Sequence, residues 1–237
     1  MSLVFACIAP HGDLEEIPEL LTAMEELGRR FDAAKPNVAV VVTPHNVHVE
    51  QHFAVVTAAH LGEWETDRET AQALLESDLP ILGVSYGGNV AAQSEMPLDW
   101  GTEIPLAYMA AKRVVVVSPA RDRSLEEHVR LGEGVAALPG RVALIASADH
   151  GHAHDASGPY GFHPAAAHYD ALLQEILASD RLDFLPLAES VEEAKADSLW
   201  QLLVLQGAVG TGARADLLAY AQHSYYGMLV AEIQTAA

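Results

Sequence analysis

The sequence has one cysteine, few basic residues and no long apolar run, and each of these features excludes a class of protein. Cys7 cannot form an internal disulfide, and its place in an apolar run predicts a buried thiol in a reducing compartment. Thirteen Lys and Arg residues against 33 Asp and Glu residues give a formal charge of −20, which disfavours nucleic acid and anionic membranes as partners. No stretch approaches the roughly 20 apolar residues that span a bilayer. With no secretory signal pattern either, we expect a cytoplasmic protein.

The remaining pattern is that of one α/β domain. Hydrophobic residues make up 50% of the chain, enough for a full core, and no linker rich in Ser, Gly or Pro divides it. Short apolar runs typical of buried strands alternate with segments of helical periodicity. Strands are predicted at 3–9, 38–43, 113–118 and 141–147, helices at 14–31, 124–137, 164–178 and 190–206, and an edge strand at 226–233. We therefore expect a single domain, residues 1–237, with a mixed, mostly parallel sheet flanked by helices.

Two histidines follow two of the predicted strands. His11 comes after the first run and His45 after the second, each directly behind a proline. A strand–helix–strand unit normally gives parallel strands, and we expect the two C-terminal ends to lie side by side, at the edge where open α/β sheets bind ligands. One histidine among the 12 in the chain means little. The repeated placement predicts two imidazole ligands of one metal ion.

A third histidine-bearing loop, residues 148–155, follows the predicted strand 141–147. It contains His150, His152 and His154. A histidine at the mouth of a metal site is suited to carry protons, because imidazole titrates near neutral pH. The alternative is a mobile surface loop that happens to be rich in histidine.

In chain order, these features resemble the class III extradiol ring-cleavage dioxygenases, the family of the catalytic subunit of protocatechuate 4,5-dioxygenase. The resemblance begins at His11 and His45 and continues through residues 147–152, 167–170 and 199–209. It implies that His11 and His45 bind Fe(II), with Mn(II) or Zn(II) as alternative metals, and that His152 is the acid–base residue. It also implies opening of a catechol-type or aminophenol-type ring with O2, and a homo-oligomer.

The chain departs from the family pattern at two positions. The third iron ligand of the family is a glutamate, whereas here Asp197 falls within one residue of the matching position, with Glu193 as an alternative on the predicted late helix. Trp100 stands where many members have a histidine that contacts the substrate. We expect Trp100 either to flank an aromatic substrate or to pack in the core.

Further side chains near these positions are candidates for contacts with the substrate or with the ligating histidines. They are His48, Trp100, His150, His154, Asp155 and His163. Two other functions stay open from the sequence. One is a zinc-dependent hydrolase that uses the same cluster, and the other is a non-catalytic homologue that acts as an accessory or partner-binding subunit.

Overall fold

The computed structural model describes residues 2–86 and 94–234, and the outer limits of the predicted domain, residues 1 and 237, lie outside these ranges. The described residues form one α/β domain around an open, mixed sheet in which most strand pairs are parallel. They contain eleven strands and seven α-helices: β1 Leu3–Ala9, α1 Pro18–Ala34, β2 Val38–Val42, β3 Phe53–Val56, β4 His60–Leu61, β5 Trp64–Thr66, α2 Arg68–Leu75, β6 Ile81–Val84, β7 Glu95–Met96, α3 Trp100–Ala107, β8 Arg113–Ser118, α4 Leu125–Ala137, β9 Val142–Ser147, α5 Pro164–Ala178, α6 Val191–Ala194, α7 Leu199–Val209, β10 Arg214–His223 and β11 Tyr226–Gln234.

The centre of the sheet is buried on both faces because its strands are continuous runs of apolar residues. The main path of strands is β10-β11-β1-β9-β2-β8-β5-β4-β7, while β3 pairs with β8 and with β6. Side chains of each central strand alternate between two cores. Helices α1 and α3 cover one core, and helices α2, α4, α5 and α7 cover the other. This arrangement confirms the predicted fold class.

The strands that precede His11 and His45 are not direct neighbours, which corrects the expectation from the sequence. Strand β9 lies between β1 and β2 and pairs in parallel with both of them. The three C-terminal ends still lie at one edge of the sheet. Ser147, the last residue of β9, is therefore placed between the two histidine-bearing loops.

Two further expectations about the C-terminal third were wrong. The segment 226–233 is not an edge strand, because β10 pairs along its outer side and forms the edge itself. The predicted helix 190–206 is two helices, because Lys195 adopts a left-handed conformation with φ of 55° and ends α6. Asp197 lies in the break before α7.

Among the described residues, no helix is both long and apolar enough to cross a membrane.

Candidate metal centre and adjoining cavity

Three side chains from three parts of the chain meet at the C-terminal edge of the sheet. His11 follows β1, His45 follows β2, and Asp197 comes from the break between α6 and α7. The Nε2 atoms of the two histidines are 2.9 Å apart. Oδ2 of Asp197 lies 3.5 Å from Nε2 of His11 and 3.6 Å from Nε2 of His45. The structure thus brings the three predicted ligand atoms to one point.

The spacing of these atoms fits a divalent metal ion. Two ligand atoms about 2.1 Å from an ion and at right angles to each other are about 3.0 Å apart, and a tetrahedral angle opens this to about 3.4 Å. The three observed separations are close to these values. Two imidazoles and one carboxylate on one face are also the donor set of non-haem Fe(II) oxygenases, and the set suits Zn(II) as well.

The charges around the cluster favour a cation. Asp149, two residues after the end of β9, is buried. Its Oδ2 lies 3.6 Å from Nε2 of His11, and its Oδ1 accepts from the His11 backbone N–H at 3.1 Å. Burial alone lowers the pKa of His11, but the charge of Asp149 and the hydrogen bond with Asp197 outweigh it and raise the pKa to about 9. Burial, and then the charge of His11, lower the pKa of His45 to about 4. Two carboxylates therefore draw positive charge to this point.

The two carboxyl groups themselves differ. Burial raises the pKa of Asp149. Burial also opposes ionisation of Asp197, but its hydrogen bond with His11 prevails and lowers its pKa. Asp197 is therefore held as a carboxylate, the form that binds a metal ion.

His152 is oriented by a backbone carbonyl. Its Nδ1 lies 2.6 Å from the carbonyl oxygen of His150. A carbonyl oxygen only accepts, so Nδ1 carries the proton and Nε2 of the neutral ring has the free lone pair. The ring of Tyr226 lies nearly parallel to the His152 ring, with centroids 5.6 Å apart. In the neutral ring, Nε2 is therefore the nitrogen that can accept a hydrogen bond.

A cavity of about 470 Å³ adjoins the cluster, within the roughly 300–1,000 Å³ typical of small-molecule sites. His45, Asp197 and His152 all line it. The other lining residues are Pro44, His48, Arg121, Tyr160, Val191, Glu192, Lys195, Ala196 and Trp200. Metal-binding candidates and the proton-carrying candidate thus face one space large enough for an aromatic molecule.

The remaining predicted residues divide into those near the cavity and those away from it. His48 lines the cavity, and the ring of Trp100, 55% exposed, lies against the ring of His45, which argues against core packing for Trp100. Glu193 is exposed and is not among the cluster or the cavity lining.

The other four candidates are engaged in the structure of the loop itself. His150 is fully buried with Nδ1 3.1 Å from Oγ of Ser198, and Nε2 of His154 lies 2.8 Å from Asp170. Asp155 accepts hydrogen bonds from Ser157, and His163 caps α5 by accepting from the Ala165 N–H. None of the four lines the cavity.

Several residues at the site have no role predicted from the sequence. They are Asp99, Gly101, Arg121, Ser147, Asp149 and Lys195. A signal existed for three of them, since Ser147 ends β9, Asp149 comes two residues later and Arg121 follows β8, so all three come from the same sheet edge as the histidines. The others depend on contacts between distant parts of the chain.

The fold and the cluster together define a candidate metal-dependent enzyme of the α/β class. A model of the family described as the catalytic LigB subunit of aromatic ring-opening dioxygenase matches residues 10–231. The chain therefore belongs to this family, as its resemblance in sequence indicated. Membership supports a dioxygenase-type enzyme that depends on a metal and acts on an aromatic substrate with O2.

Comparison of structures agrees with this fold. The chain is similar to an uncharacterized protein, JW3007, from Escherichia coli K12, with a TM-score of 0.69 and 18% sequence identity. The alignment covers 98% of this chain and 100% of that chain. At this identity the likeness shows the fold alone. A search of curated proteins gives no match.

Proposed function

We propose that this protein is an Fe(II)-dependent extradiol dioxygenase that opens the ring of a catechol-type or aminophenol-type compound. His11, His45 and Asp197 would hold the metal, and His152 would move the proton. The observation that carries the proposal is that all three ligand candidates converge within 4.8 Å while His152 lines the cavity beside two of them. The match to the family of ring-opening dioxygenases supports the same reaction.

The metal, when bound, would supply open positions for two adjacent substrate heteroatoms and for O2, and a path for electrons between them. The protein residues supply the rest. His152, with its proton held on Nδ1 by the His150 carbonyl, would take the substrate hydroxyl proton on Nε2 and return it later. Trp200 and Tyr160 line the same cavity and offer apolar ring surface to an aromatic substrate.

Two cations at the cavity favour a substrate that carries a negative charge. Arg121 and Lys195 line the cavity, and neither has an ion-pair partner within 4.0 Å in the described parts of the chain. The guanidinium of Arg121 lies 4.6 Å above the ring of Trp200, which restrains its orientation. Glu192 also lines the cavity. In a chain of charge −20, two unpaired cations at this position are suited to bind a carboxylate.

The first experiment is reconstitution of the purified protein with Fe(II) without oxygen, followed by metal analysis and measurement of O2 uptake with catechols and 2-aminophenols. We expect one iron per chain and a ring-opened product that contains both oxygen atoms. Tight zinc binding with ester or amide hydrolysis would instead support a hydrolase. A protein that binds no metal would be a non-catalytic homologue.

A second experiment tests the charge of the substrate with two ligands of equal size, 3,4-dihydroxybenzoate and 3,4-dihydroxybenzamide. We expect the carboxylate to bind about tenfold more tightly to the iron-loaded protein without oxygen, from one charge-assisted hydrogen bond. Lys195→Gln should reduce this preference. Lys35→Gln is the matched control, because Lys35 also ends a helix in a left-handed conformation, with φ of 49°, and is not part of the cavity. Equal binding of both ligands to the wild type would refute the preference for a negatively charged substrate, but it would not contradict the proposed ring-opening reaction.

A further inference from the structure

The first turn of α3 contacts the loop that carries His45. Asp99 caps this helix, since its Oδ1 accepts from the Thr102 N–H at 3.1 Å, and the same atom accepts from Oγ1 of Thr43 at 2.6 Å. The Thr43 oxygen in turn accepts from the His45 backbone N–H at 3.3 Å. Oδ2 of Asp99 accepts from Nδ2 of Asn46 at 2.8 Å. One buried carboxylate thus holds the loop on both sides of His45.

The next two residues contact His45 itself. The ring of Trp100 lies against the imidazole, with centroids 4.3 Å apart and planes 33° apart, and this contact limits rotation of the imidazole. A side chain at Gly101 would place its Cβ 2.4 Å from Oγ1 of Thr43 and 3.3 Å from Cδ2 of His45. Only glycine allows the helix to approach the His45 loop so closely.

The same turn reaches His11 through Ser147. The backbone carbonyl of Gly101 accepts a hydrogen bond from the Ser147 hydroxyl. Since the carbonyl cannot donate, the Ser147 hydroxyl donates its proton there, and its oxygen accepts from Nδ1–H of His11 at 2.9 Å. In the neutral form of His11, the form that binds a metal ion, the proton therefore stays on Nδ1 and the lone pair of Nε2 faces Nε2 of His45 and Asp197.

We propose that residues 99–101 are a positioning turn that holds both metal-binding histidines in register for one ion. Asp99 and Trp100 orient His45, and Gly101 fixes the tautomer of His11 through Ser147. The two Nε2 atoms lie 2.9 Å apart, and both have to face one ion when a metal is bound, so the protein has to hold the two rings in register. Trp100 therefore orients the metal-binding residue His45 and does not contact the substrate. The proposal rests on the metal site of the proposed function, not on its reaction.

The test is titration of the metal-free full-length protein with Co(II), followed by its visible absorption spectrum, which reports coordination without turnover. We expect Asp99→Asn and Ser147→Ala to weaken Co(II) binding by about tenfold or more, as for other residues that orient ligands, and to change the spectrum. Ser147→Thr keeps the hydroxyl and should bind as the wild type does. Asp67→Asn is the matched control, because Asp67 caps the eight-residue helix α2 through the Thr70 N–H in the same way.

The possible results separate this proposal from the function itself. Wild-type Co(II) affinity and spectrum in both Asp99→Asn and Ser147→Ala would overturn the positioning turn alone. So would an equal loss of affinity in Asp67→Asn, because the effect would then be general destabilisation. A wild-type protein that binds no Co(II) would overturn the metal site and the proposed function with it.

Discussion

The loops after β1 and β2 and the loop after β9 carry the same residue type at the same edge of the sheet, yet their histidines have different surroundings. His11 and His45 direct Nε2 towards a carboxylate and towards each other. Among the histidines of the loop after β9, residues 148–163, only His152 lines the cavity. His150 is in the core, His154 is paired with Asp170, and His163 caps a helix.

The histidines of the two regions thus differ in their partners, although both sets follow strands at the same edge of the sheet. A metal-binding imidazole needs one nitrogen held by a hydrogen bond and the other facing a common point with further donors. His11 and His45 satisfy the second condition through Asp197. His150, His154 and His163 have no such shared point among the described residues, so the comparison predicts separate consequences for changes in the two regions.

The largest effect is expected from removing a ligand in the first region. His11→Ala should weaken metal binding roughly a thousandfold, because one of three donors is lost, and metal-dependent activity should disappear. His163→Ala is the control from the second region and should bind metal as the wild type does. Metal content after dialysis and Co(II) titration measure both. Loss of metal in His163→Ala would show that the separation of the two regions is wrong.

His152→Ala tests the one histidine of the loop after β9 that lines the cavity. We expect the variant to retain its metal, since His152 is not part of the ligand cluster. Its turnover number for ring cleavage should fall by about 10²- to 10⁴-fold, the usual effect of removing a general acid–base group. Steady-state O2 uptake beside metal analysis gives both quantities. Loss of metal in this variant would instead identify His152 as a metal ligand.

Local patterns predicted the fold class and the placement of His11 and His45 at one edge of the sheet, whereas Asp197 was indicated only by the resemblance to the family, with Glu193 as the alternative. Apolar runs define the central strands, and the end of a parallel strand defines the edge where a ligand is placed. Strand order is not local: nothing in the first 50 residues indicates that β9 inserts between β1 and β2. The contact between Ser147 and His11 follows from that insertion, so it was not predictable.

The helix break that places Asp197 at the site is also not predictable from local patterns. The apolar spacing of 190–206 continues through the break at Lys195, so periodicity alone predicts one helix. A left-handed lysine gives no pattern in the sequence, unlike a glycine or proline at the same place. The break turns Asp197 towards the histidines, while Glu193, on the short helix before it, stays exposed.

His150 should make stability depend on pH, unlike an exposed histidine. Burial lowers its pKa to about 4 from 6.5, so between these values the unfolded chain binds a proton that the folded chain does not. The contribution of His150 to the free energy of unfolding has its full value above pH 6.5. It falls by about 3 kcal/mol as the pH drops towards 4. Urea unfolding of metal-free wild type and His150→Leu across this range measures it. Parallel pH profiles for the two proteins would contradict a buried, neutral His150.

The smallest effect belongs to His163, whose role is confined to a helix end. Its Nδ1 accepts from the Ala165 N–H at 3.2 Å at the start of α5, and the residue is exposed. His163→Ala should lower the free energy of unfolding by about 0.5–1 kcal/mol, the usual effect of losing an N-cap. His163→Asn, which can accept the same hydrogen bond, should recover most of it. Equal stability of His163→Ala and His163→Asn would mean that packing, not capping, is what the imidazole provides at this position.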